Sequence, residues 1–503
     1  MRMRMKKCCF AALFMLALLC LAAPVQAATW YVTQDGAGDE DGSGWANASK
    51  NLKDVMEAAA PGDEIWVAAG TYSPGTGTGD TFLLKAGVKV YGGFAGTETD
   101  LDQRDLNDVN NKATLHGNEV NYHVVTGGTG ATSDDTLLDG FTVTGGNANG
   151  SDPDKPADRS GSGMFNNNSS PTVANCVFSG NTAQLKGSGM YNENSSPTVE
   201  NCVFSGNTTE YGGGMSNEGS SSSPTVVNCT FSGNTANSDG GGIFNWKSSP
   251  TVTNCVFSGN KTGEYGGGGG MASFPNSSPA VLNCTFFGNT ADSGGGMFNG
   301  RGTSPTVVNC TFSGNEAWDD GGGMANYESS PTMVNCTFSG NTAVAGGGMS
   351  NENSSLTVVN CSFSGNEATT KKGGGMYNYR SSPTVVNTIL WGNEATDGPD
   401  IWQGEGTLTL DHCVVGTYKL NNEAKENTTN LITDDPKLTS VKLEPTTVSV
   451  DVYIYGLEPG SSALDAGLPV GETVRGDVKV PDVDQLGTTR PQGAGVDIGA
   501  FEK

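Results

Sequence analysis

Apolar residues recur along the chain with a period of about 26 residues between Gly161 and Asn393. One copy, from Gly321 to Asn341, reads GGGMANYESSPTMVNCTFSGN, and nine such copies follow one another. Each copy places a Met, an aliphatic residue and a Phe at fixed positions between Gly, Ser, Thr and Asn. A period of this length is typical of a solenoid, in which one repeat forms one turn and buries its apolar side chains only against neighbouring turns.

The spacing within one repeat predicts short strands that are separated by bends. The second half of the first copy runs from Pro171 to Asn181, and its fixed apolar residues are Val173, Cys176 and Phe178. Side chains alternate between the two faces of a strand, so one regular strand cannot direct both Val173 and Cys176 inward. We therefore predict a bend at Asn175, because Asn tolerates a left-handed backbone better than other non-Gly residues. The other copies also have Asn at this position: Asn201, Asn228, Asn254, Asn283, Asn309, Asn335, Asn360 and Asn387.

Three short strands per turn, with bends between them, predict an all-β fold: a right-handed, single-stranded parallel β-helix. Met, Val, Cys and Phe are expected to form internal columns, with each side chain stacked on its equivalent one turn away. A second Asn column is expected to form hydrogen bonds along the axis through its amides, and this structural role is favoured over ligand binding. Its members are Asn181, Asn207, Asn234, Asn260, Asn289, Asn315, Asn341, Asn366 and Asn393.

The flanking regions are less regular and are expected to cover the open strand edges of the solenoid. Residues 28–160 are predicted to form an N-terminal cap and irregular first turns. The cap includes a helix over Asn51–Ala60, where apolar residues recur at helical spacing. Residues 161–393 form the nine repeats. Residues 394–503 form the last turns and an irregular C-terminal cap, in which Thr446–Tyr455 is predicted to be an antiparallel strand and Ser461–Lys503 to fold over the end.

The first 27 residues have the pattern of a secretory signal peptide. Basic residues precede an apolar stretch from Phe10 to Ala23, and Val25-Gln26-Ala27 fits a signal-peptidase site. A lipid anchor on Cys20 is the less favoured alternative, because Leu19 precedes it where a small residue is usual. We therefore predict export to the extracellular space or the cell surface, including association with an outer membrane, and no membrane-spanning segment in the mature chain.

The charge balance excludes two classes of partner. The chain has 27 Lys and Arg residues against 53 Asp and Glu residues, a formal net charge of −26. Nucleic acids and anionic lipid surfaces both require a basic face, so neither is an expected partner. We expect a monomer whose charge keeps it soluble.

Most cysteines share one position of the repeat, which favours a core role. Of the 12 cysteines, three lie in the signal segment, and Thr388 occupies the position in the ninth copy. A zinc site is not expected, since no Cys or His spacing suits one. Stacked neighbours would be about 4.8 Å apart, so disulfides between turns stay an open alternative. The eight repeat cysteines are Cys176, Cys202, Cys229, Cys255, Cys284, Cys310, Cys336 and Cys361, and Cys413 follows them.

Three segments resemble known families. The GGGM and FSGN pieces resemble the repeats of polymorphic outer-membrane proteins. The segment YVTQDGAGDEDGSGWANASKNLKDVMEAAAPGDEIWVAAGTY resembles the entry region of β-helix surface proteins of the pectate-lyase-like superfamily. The endings SSALDAG and RPQGAGVDIGAFE are similar to the choice-of-anchor Q domain. Together these resemblances imply an exported bacterial protein that is often displayed on the surface, with adhesion as its role.

The position after the repeat Met is the candidate binding surface. If the Met faces the core, this position faces outward, and it is often aromatic. An exposed row of aromatic rings suits stacking on sugar rings. The alternative is that loops cover the row or that it only stabilises the sheet. The candidate glycan-binding residues are Phe165, Tyr191, Phe244, Phe298 and Tyr377, together with Trp246 two positions after Phe244.

A weak calcium candidate lies near the mature N-terminus. Asp35, Asp39 and Asp41 are closely spaced among glycines, as carboxylates that bind calcium can be. An ordinary acidic turn is the favoured interpretation. No other metal or cofactor is expected.

Catalysis is the alternative function, since many β-helix proteins are polysaccharide lyases or glycoside hydrolases. These reactions need a clustered base and charge neutraliser, or paired carboxylates. The acidic residues of the repeats instead occur singly in loops, where we expect solvated surface, and His116, His123 and His412 are scattered. We therefore name no catalytic residue and predict a surface adhesion or carbohydrate-binding protein, whose partner is a polysaccharide or a cell-surface glycan or protein. The acidic loop residues are Glu210, Asp239, Glu264, Asp292, Asp319 and Asp320.

Overall fold

The computed structural model describes residues 27–132, 134–443, 452–459, 461–475, 478–492 and 495–501. The signal segment predicted above, apart from Ala27, lies outside them. The described chain forms one long solenoid in which each strand pairs in parallel with its equivalent in the next turn. The all-β parallel solenoid predicted from the repeat is confirmed.

Three sheets correspond to the three conserved pieces of the repeat. The methionine sheet has 13 strands: Phe82–Leu84, Val125–Gly127, Met164–Asn167, Met190–Glu193, Met215–Glu218, Ile243–Trp246, Met271–Phe274, Met297–Asn299, Met324–Tyr327, Met349–Glu352, Met376–Tyr379, Ile401–Gln403 and Tyr418–Leu420. The valine sheet has 15 strands: Thr29–Val32, Glu64–Ala68, Lys89–Phe94, Leu137–Asp139, Thr172–Ala174, Thr198–Glu200, Thr225–Val227, Thr251–Thr253, Ala280–Leu282, Thr306–Val308, Thr332–Val334, Thr357–Val359, Thr384–Val386, Gly406–Asp411 and Ala424–Thr429. The phenylalanine sheet has 13 strands: Gly70–Tyr72, Ala113–His116, Phe141–Thr144, Val177–Ser179, Val203–Ser205, Thr230–Ser232, Val256–Ser258, Thr285–Phe287, Thr311–Ser313, Thr337–Ser339, Ser362–Ser364, Ile389–Leu390 and Val414–Val415.

A fourth sheet was not predicted from the sequence. Its strands follow the Gly-Asn pair of each repeat, and most have only two residues, which is too short for alternation to be visible. The short-strand sheet has ten strands: Asn147–Ala148, Thr182–Ala183, Thr208–Thr209, Thr235–Ala236, Lys261–Thr262, Thr290–Ala291, Glu316–Ala317, Thr342–Ala343, Glu367–Lys372 and Glu394–Asp397.

The bends occur at the Asn positions that were predicted from the interrupted alternation of inward-facing residues. All nine Asn residues from Asn175 to Asn387 have a left-handed backbone, with φ between 49° and 54°. Val173, Cys176 and Phe178 are each fully buried, as are their equivalents along the solenoid. The Phe rings from Phe178 to Phe363 form one continuous stack, with centroids 4.6–4.9 Å apart and interplanar angles of 3–6°.

The Asn column that starts at Asn181 is fully buried and forms a hydrogen-bonded ladder. From Asn181 to Asn366, each Nδ2 donates to the Oδ1 of the next Asn at 2.8–3.2 Å. Asn289, for example, also donates from Nδ2 to the carbonyl of Phe257 at 2.9 Å and accepts the backbone N–H of Asn260 at 3.0 Å. The structural role expected for this column therefore agrees with its contacts. Asn166 and its equivalents after the repeat Met form a second buried ladder, which was not predicted from the sequence.

The cysteine column is made of free thiols. All nine cysteines among the described residues are buried and unbridged. The Sγ of Cys255 accepts the backbone N–H of Cys229 at 3.4 Å and donates to the carbonyl of Thr253 at 3.2 Å. Thr388 makes the same two contacts through Oγ1, with Cys361 at 3.3 Å and Val386 at 2.9 Å. The position therefore requires a small side chain that both donates and accepts, which explains why Thr replaces Cys.

The N-terminal end is covered by a short helix. The α-helix Leu52–Ala58 begins at Asn51, whose side chain accepts the backbone N–H of Asp54, and it buries Leu52, Val55 and Met56 in the main core. This agrees with the predicted capping helix. Four 3₁₀ helices lie in the connecting loops: Trp45–Asn47, Leu101–Gln103, Val109–Asn111 and Pro156–Arg159.

The C-terminal region differs from the expectation that it folds over the end. Much of its described part lies along the side of the last turns, where Val480 and Val496 pack against Val359 of the valine sheet. The outer positions of these turns are apolar, so the side of the solenoid offers the tail a surface to bury. Two antiparallel pairs occur here: Leu438–Leu443 with Val452–Leu457, and Thr473–Arg475 with Val478–Lys479.

We predict that the buried Asn ladder contributes more to stability than the exposed bends. Asn289→Ala removes hydrogen-bond partners from Asn260, Asn315 and the carbonyl of Phe257, all of which stay buried. The expected loss is about 3 kcal/mol or more in the free energy of unfolding, measured by urea denaturation. The matched control is Asn283→Gly, at an exposed bend with φ of 54°. Glycine adopts this backbone without strain, so a loss within about 1 kcal/mol is expected. Equal losses for the two variants would contradict the assignment.

Candidate functional site

The position after the repeat Met faces away from the core, as the alternation predicted, but its rings are not uniformly exposed. Phe165, Tyr191 and Phe244 are only 7%, 5% and 4% exposed, so the expectation of an open aromatic row is wrong for these three. Phe298 and Tyr377 are half-buried. The row therefore divides into separate groups of aromatic residues, each with its own surroundings.

The exposure of each ring depends on the residue before the Gly run of one turn, because this residue lies over the aromatic position of another turn. The ring of Tyr211 lies 5.2 Å from that of Phe244. The backbone of Gly267 approaches Phe298 so closely that a Cβ at this position would lie 2.6 Å from the ring. The length and composition of this loop vary between repeats, so its cover could not be inferred from the repeat itself.

The N-terminal group is closed. His123 stacks on Phe165 at 4.7 Å, and Phe165 contacts Tyr191 at 5.7 Å. The Tyr191 hydroxyl donates to the carboxylate of Glu218 at 2.7 Å, and Lys186 pairs with the same carboxylate. Burial raises the pKa of Tyr191 and lowers the pKa of His123. These groups satisfy one another and present little ring surface to a ligand.

The central group presents an open surface, which we call the aromatic platform: Trp246, Phe274 and Phe298. Each ring is half-buried. The ring centroids of Trp246 and Phe274 are 6.1 Å apart, and those of Phe274 and Phe298 are 5.5 Å apart. Gly300 occupies the point of its turn that corresponds to Phe274, where a Cβ would be 3.3 Å from both Phe rings. The rings thus form a continuous row across three successive turns.

Phe274 was not among the residues predicted from the sequence. It lies two positions after Ala272, at the same point of its strand as Trp246, and its backbone is paired with that of Trp246 in adjacent turns. Aligning the repeats places Phe274 at the same position as Trp246, and this match could have identified it from the sequence. Ala272 occupies the expected aromatic position of this turn, and Phe274 was overlooked although Trp246, at the same point of its strand, was a candidate.

The C-terminal group is occupied by cations of the chain itself. Tyr377 stacks on Trp402 at 4.9 Å, and the ammonium of Lys372 lies 4.1 Å from the centre of the Trp402 ring. Arg380 similarly lies over Tyr379, at 5.0 Å. Burial, with neighbouring carboxylates, raises the pKa of Tyr377 to about 12. A cation on the face of a ring takes the place that a stacking ligand would need.

Three acidic residues of the repeat loops form what we call the acidic ridge, which Asp239 connects to the platform: Glu210, Asp239 and Asp292. These three are half-buried, unlike Glu264 and Asp319, which are exposed as solvated loops would be. Asp239 accepts the N–H of Gly267 at 2.8 Å, and Gly267 is the residue that packs on Phe298. Burial, with the charge of Glu210, raises the pKa of Asp239 to about 6. Burial also raises the pKa of Asp292, with contributions from Asp319 and Glu264.

The calcium candidate is not assembled in the structure. Asp35, Asp39 and Asp41 are exposed, and Asp41 accepts the backbone N–H of Ser43 at 2.9 Å, as in an ordinary turn. Hydrogen bonds from Ser43 lower the pKa of Asp41. Within the described parts of the chain, no group of three or more His, Cys, Asp or Glu residues is placed to hold a metal ion.

The three histidines lie in unrelated places. His116 accepts the backbone N–H of Asn118 through Nδ1 at 2.9 Å, and the half-buried His123 stacks on Phe165. His412 lies 2.8 Å from the carboxylate of its neighbour Asp411. These contacts give each imidazole a local structural role.

We predict that Asp239 destabilises the fold where it is ionised. Its pKa in the folded chain is raised from 3.8 to about 6, so the unfolded chain ionises first and stability falls as the pH rises between these values. Asp239→Asn should therefore raise the free energy of unfolding by about 2 kcal/mol near about pH 7.5 and leave it unchanged near about pH 4. Urea denaturation at both pH values measures this. Glu423→Gln, at an exposed position, should change neither value. A pH-independent effect of Asp239→Asn would refute the shift.

Comparisons with known proteins identify the family. The model of the right-handed β-helix region matches residues 106–257 and 241–415, more than half of the 503-residue chain. No curated protein matches the sequence. Among the described residues, no helix is both long and apolar enough to cross a bilayer.

Three solved structures are similar to this chain at low identity and low TM-score. Pectate lyase Pel9A is 14% identical, with 95% of this chain and 96% of that chain covered and a TM-score of 0.39. XylC in complex with xylose is 11% identical, with 94% and 98% covered and a TM-score of 0.40. PfbA, a surface adhesin of Streptococcus pneumoniae, is 12% identical, with 81% and 94% covered and a TM-score of 0.23. The family match does establish the fold, and this chain belongs to the right-handed β-helix family.

Proposed function

We propose that this protein is an exported, surface-associated β-helix protein that binds glycans through the aromatic platform without cleaving them. The observation that carries the proposal is the row of half-buried rings of Trp246, Phe274 and Phe298 on the outer face of the methionine sheet. A half-buried ring is held rigidly by its neighbours yet keeps a face for a sugar ring, which costs little conformational entropy on binding.

The sequence features support export and display. The basic and apolar pattern of the first 27 residues supports a cleaved signal peptide. The GGxM and FxxN pieces of the repeat support a relation to polymorphic outer-membrane protein repeats, and the C-terminal motifs support a choice-of-anchor Q-like region. Adhesion to a glycan-bearing surface is the role that unites these features with the platform.

The acidic ridge favours neutral ligands. Asp239, with its pKa of about 6, is ionised at neutral pH, and it accepts the N–H of Gly267, the residue that packs on Phe298. A uronate or sialic acid carboxylate placed on the rings would meet like charge, which opposes binding. We therefore expect neutral or amino sugars to bind in preference to acidic polysaccharides.

A glycoside hydrolase is the second candidate, and one observation favours it. A carboxyl group with a pKa of about 6 beside a second carboxylate has the properties of a general acid paired with a base or nucleophile. Asp239 and Glu210 would take these roles. Release of reducing sugar from a bound neutral glycan, abolished by Asp239→Asn, would establish hydrolysis and overturn the non-catalytic proposal.

We predict that the double variant Trp246→Ala with Phe274→Ala loses affinity for neutral glycans by about ten-fold or more, since two stacking contacts of about 1 kcal/mol each are removed. Affinity electrophoresis in gels that contain β-glucan, xyloglucan or galactomannan measures the change in retardation. The control is Phe287→Ala, a half-buried Phe on the phenylalanine sheet, which should bind as the wild type does.

Two results would refute this proposal. One is that the wild-type protein is retarded by none of these glycans or by amino-sugar polymers. The other is that the double variant, with a native circular dichroism spectrum, is retarded as strongly as the wild type.

A further inference from the structure

The C-terminal tail shows how the side of the solenoid accepts a polypeptide. At the corner between the valine and phenylalanine sheets, Asn335 donates from Nδ2 to the carbonyl of Val483 at 2.9 Å. The side chain of Gln485 accepts from the hydroxyl of Thr337 at 2.7 Å and donates to that of Thr311 at 3.0 Å. The bend Asn residues and the outer Thr residues therefore bind the backbone and amide groups of an adjacent segment.

A second contact of the tail shows the same recognition. The side chain of Asn387 accepts the backbone N–H of Leu468 at 2.5 Å and donates to its carbonyl at 3.1 Å. One Asn amide thus pairs with both polar groups of one residue of the tail. Asn335, Asn360 and Asn387 are all fully buried, in agreement with a surface that is covered.

The same surface continues beyond the tail and is uncovered there. We call this region the open corner: Asn201, Asn228, Asn254, Asn283 and Asn309 with the outer residues Thr230, Val256 and Thr285. Four of its five Asn residues are exposed and Asn309 is half-buried. The adjacent outer positions Leu282 and Val308 are apolar and half-buried, and they continue the column in which Val334 and Val359 pack against the tail.

The amides of the open corner have the donor capacity that the tail uses. Asn335 donates one Nδ2 hydrogen to the Oδ1 of Asn309 at 3.1 Å and the other to the tail. In the open corner, Asn283 makes the same ladder bond to Asn254, also at 3.1 Å. An amide has two N–H groups, so the second can reach a carbonyl placed alongside, as it does at Asn335.

A cavity of about 480 Å³ lies where the tail meets the open corner. Its lining includes Asn254, Asn283 and Thr285 from the corner and Gln485, Leu486 and Phe501 from the tail. All its lining residues are uncharged. A ligand in continuation of the tail would therefore meet hydrogen-bonding and apolar groups without a fixed charge.

We propose that the open corner is a docking site for an extended polypeptide segment of a partner protein, with uncharged residues at the contact. The segment would lie along the axis, beyond the point where a turn of the tail, closed by the bond from the N–H of Gly487 to the carbonyl of Asp484 at 3.1 Å, reaches the cavity. Five bends at about 4.8 Å spacing span about 19 Å, the length of about six extended residues. This site lies on different sheets from the aromatic platform and does not depend on glycan binding.

The experiment uses the full chain and a fluorescein-labelled peptide, VPNVNQLG, which is Val480–Gly487 with both Asp residues changed to Asn. Fluorescence anisotropy is expected to show saturable binding. Thr285→Trp, which fills the corner at an outer strand position, should weaken binding by about ten-fold or more. Asn254→Gly with Asn283→Gly, which keeps the left-handed backbone and removes two amides, should weaken it by about five-fold or more.

The control is Trp318→Ala, an exposed residue of a loop outside the corner, which should bind the peptide as the wild type does. Native circular dichroism spectra would show that the variants fold. The proposal is overturned if the peptide does not bind saturably, or if binding is unchanged in the folded Thr285→Trp variant. It is also overturned if Thr285→Trp abolishes the binding of a neutral glycan, because the corner would then be a glycan site.

Discussion

The parallel, in-register pairing of successive turns is the constraint on which the rest of the structure depends. Strand spacing of about 4.8 Å places each interior side chain against its own equivalent in the turns before and after. A residue type is therefore tolerated in the interior only if its side chain can pack against, or form hydrogen bonds with, identical side chains in the neighbouring turns. Phe meets this requirement by offset stacking, Asn by donating to one neighbour while it accepts from the other, and Cys by the weaker contacts of its thiol.

A self-compatible column must still be terminated at each end. At the N-terminal end of the buried ladder, Asn181 donates to the carbonyl of Val143 and accepts the N–H of Gly146, both at 3.0 Å. At the C-terminal end, Asp400 replaces the next Asn and accepts both the backbone N–H and the Nδ2 of Asn393. Burial raises the pKa of Asp400, while its hydrogen bonds oppose this shift. A carboxylate accepts without donating, so it ends the ladder without leaving an amide unpaired.

The regular part of the fold could be predicted because nine copies of the repeat show which positions must stack on their equivalents in the next turn. The bend at Asn175 was predicted from the spacing of Val173, Cys176 and Phe178 alone. The core columns were predicted from the positions that are nearly the same in all nine repeats. The fourth sheet was missed because its two-residue strands have no visible alternation. The position of the tail was missed because it depends on contacts between distant parts of the sequence, such as Val480 with Val359.

The candidate site was only partly predictable for a related reason. Exposure of an outward position depends on the loop that precedes the Gly run, and this loop is the least regular part of the repeat. Tyr211 covers Phe244, whereas Gly267 has no side chain to extend over Phe298 and contacts it through the backbone. The outward direction of the aromatic residues was therefore correctly inferred, but the burial of Phe165, Tyr191 and Phe244 was not.

In such a solenoid, a turn whose residues depart from the repeated residue types is the first place to look for a function. The strand Met271–Phe274 has Ala272 at the aromatic position, Ser273 in place of the ladder Asn, and Phe274 paired with Trp246. Ser273 accepts from Asn245 at 3.4 Å, longer than the 2.9 Å of the regular ladder bond between Asn217 and Asn245. Core packing does not explain why this turn has a weaker ladder bond at Ser273 and a large aromatic ring, Phe274, on its outer face. The same turn contributes the central ring of the platform, so its departures from the repeat coincide with the proposed glycan site.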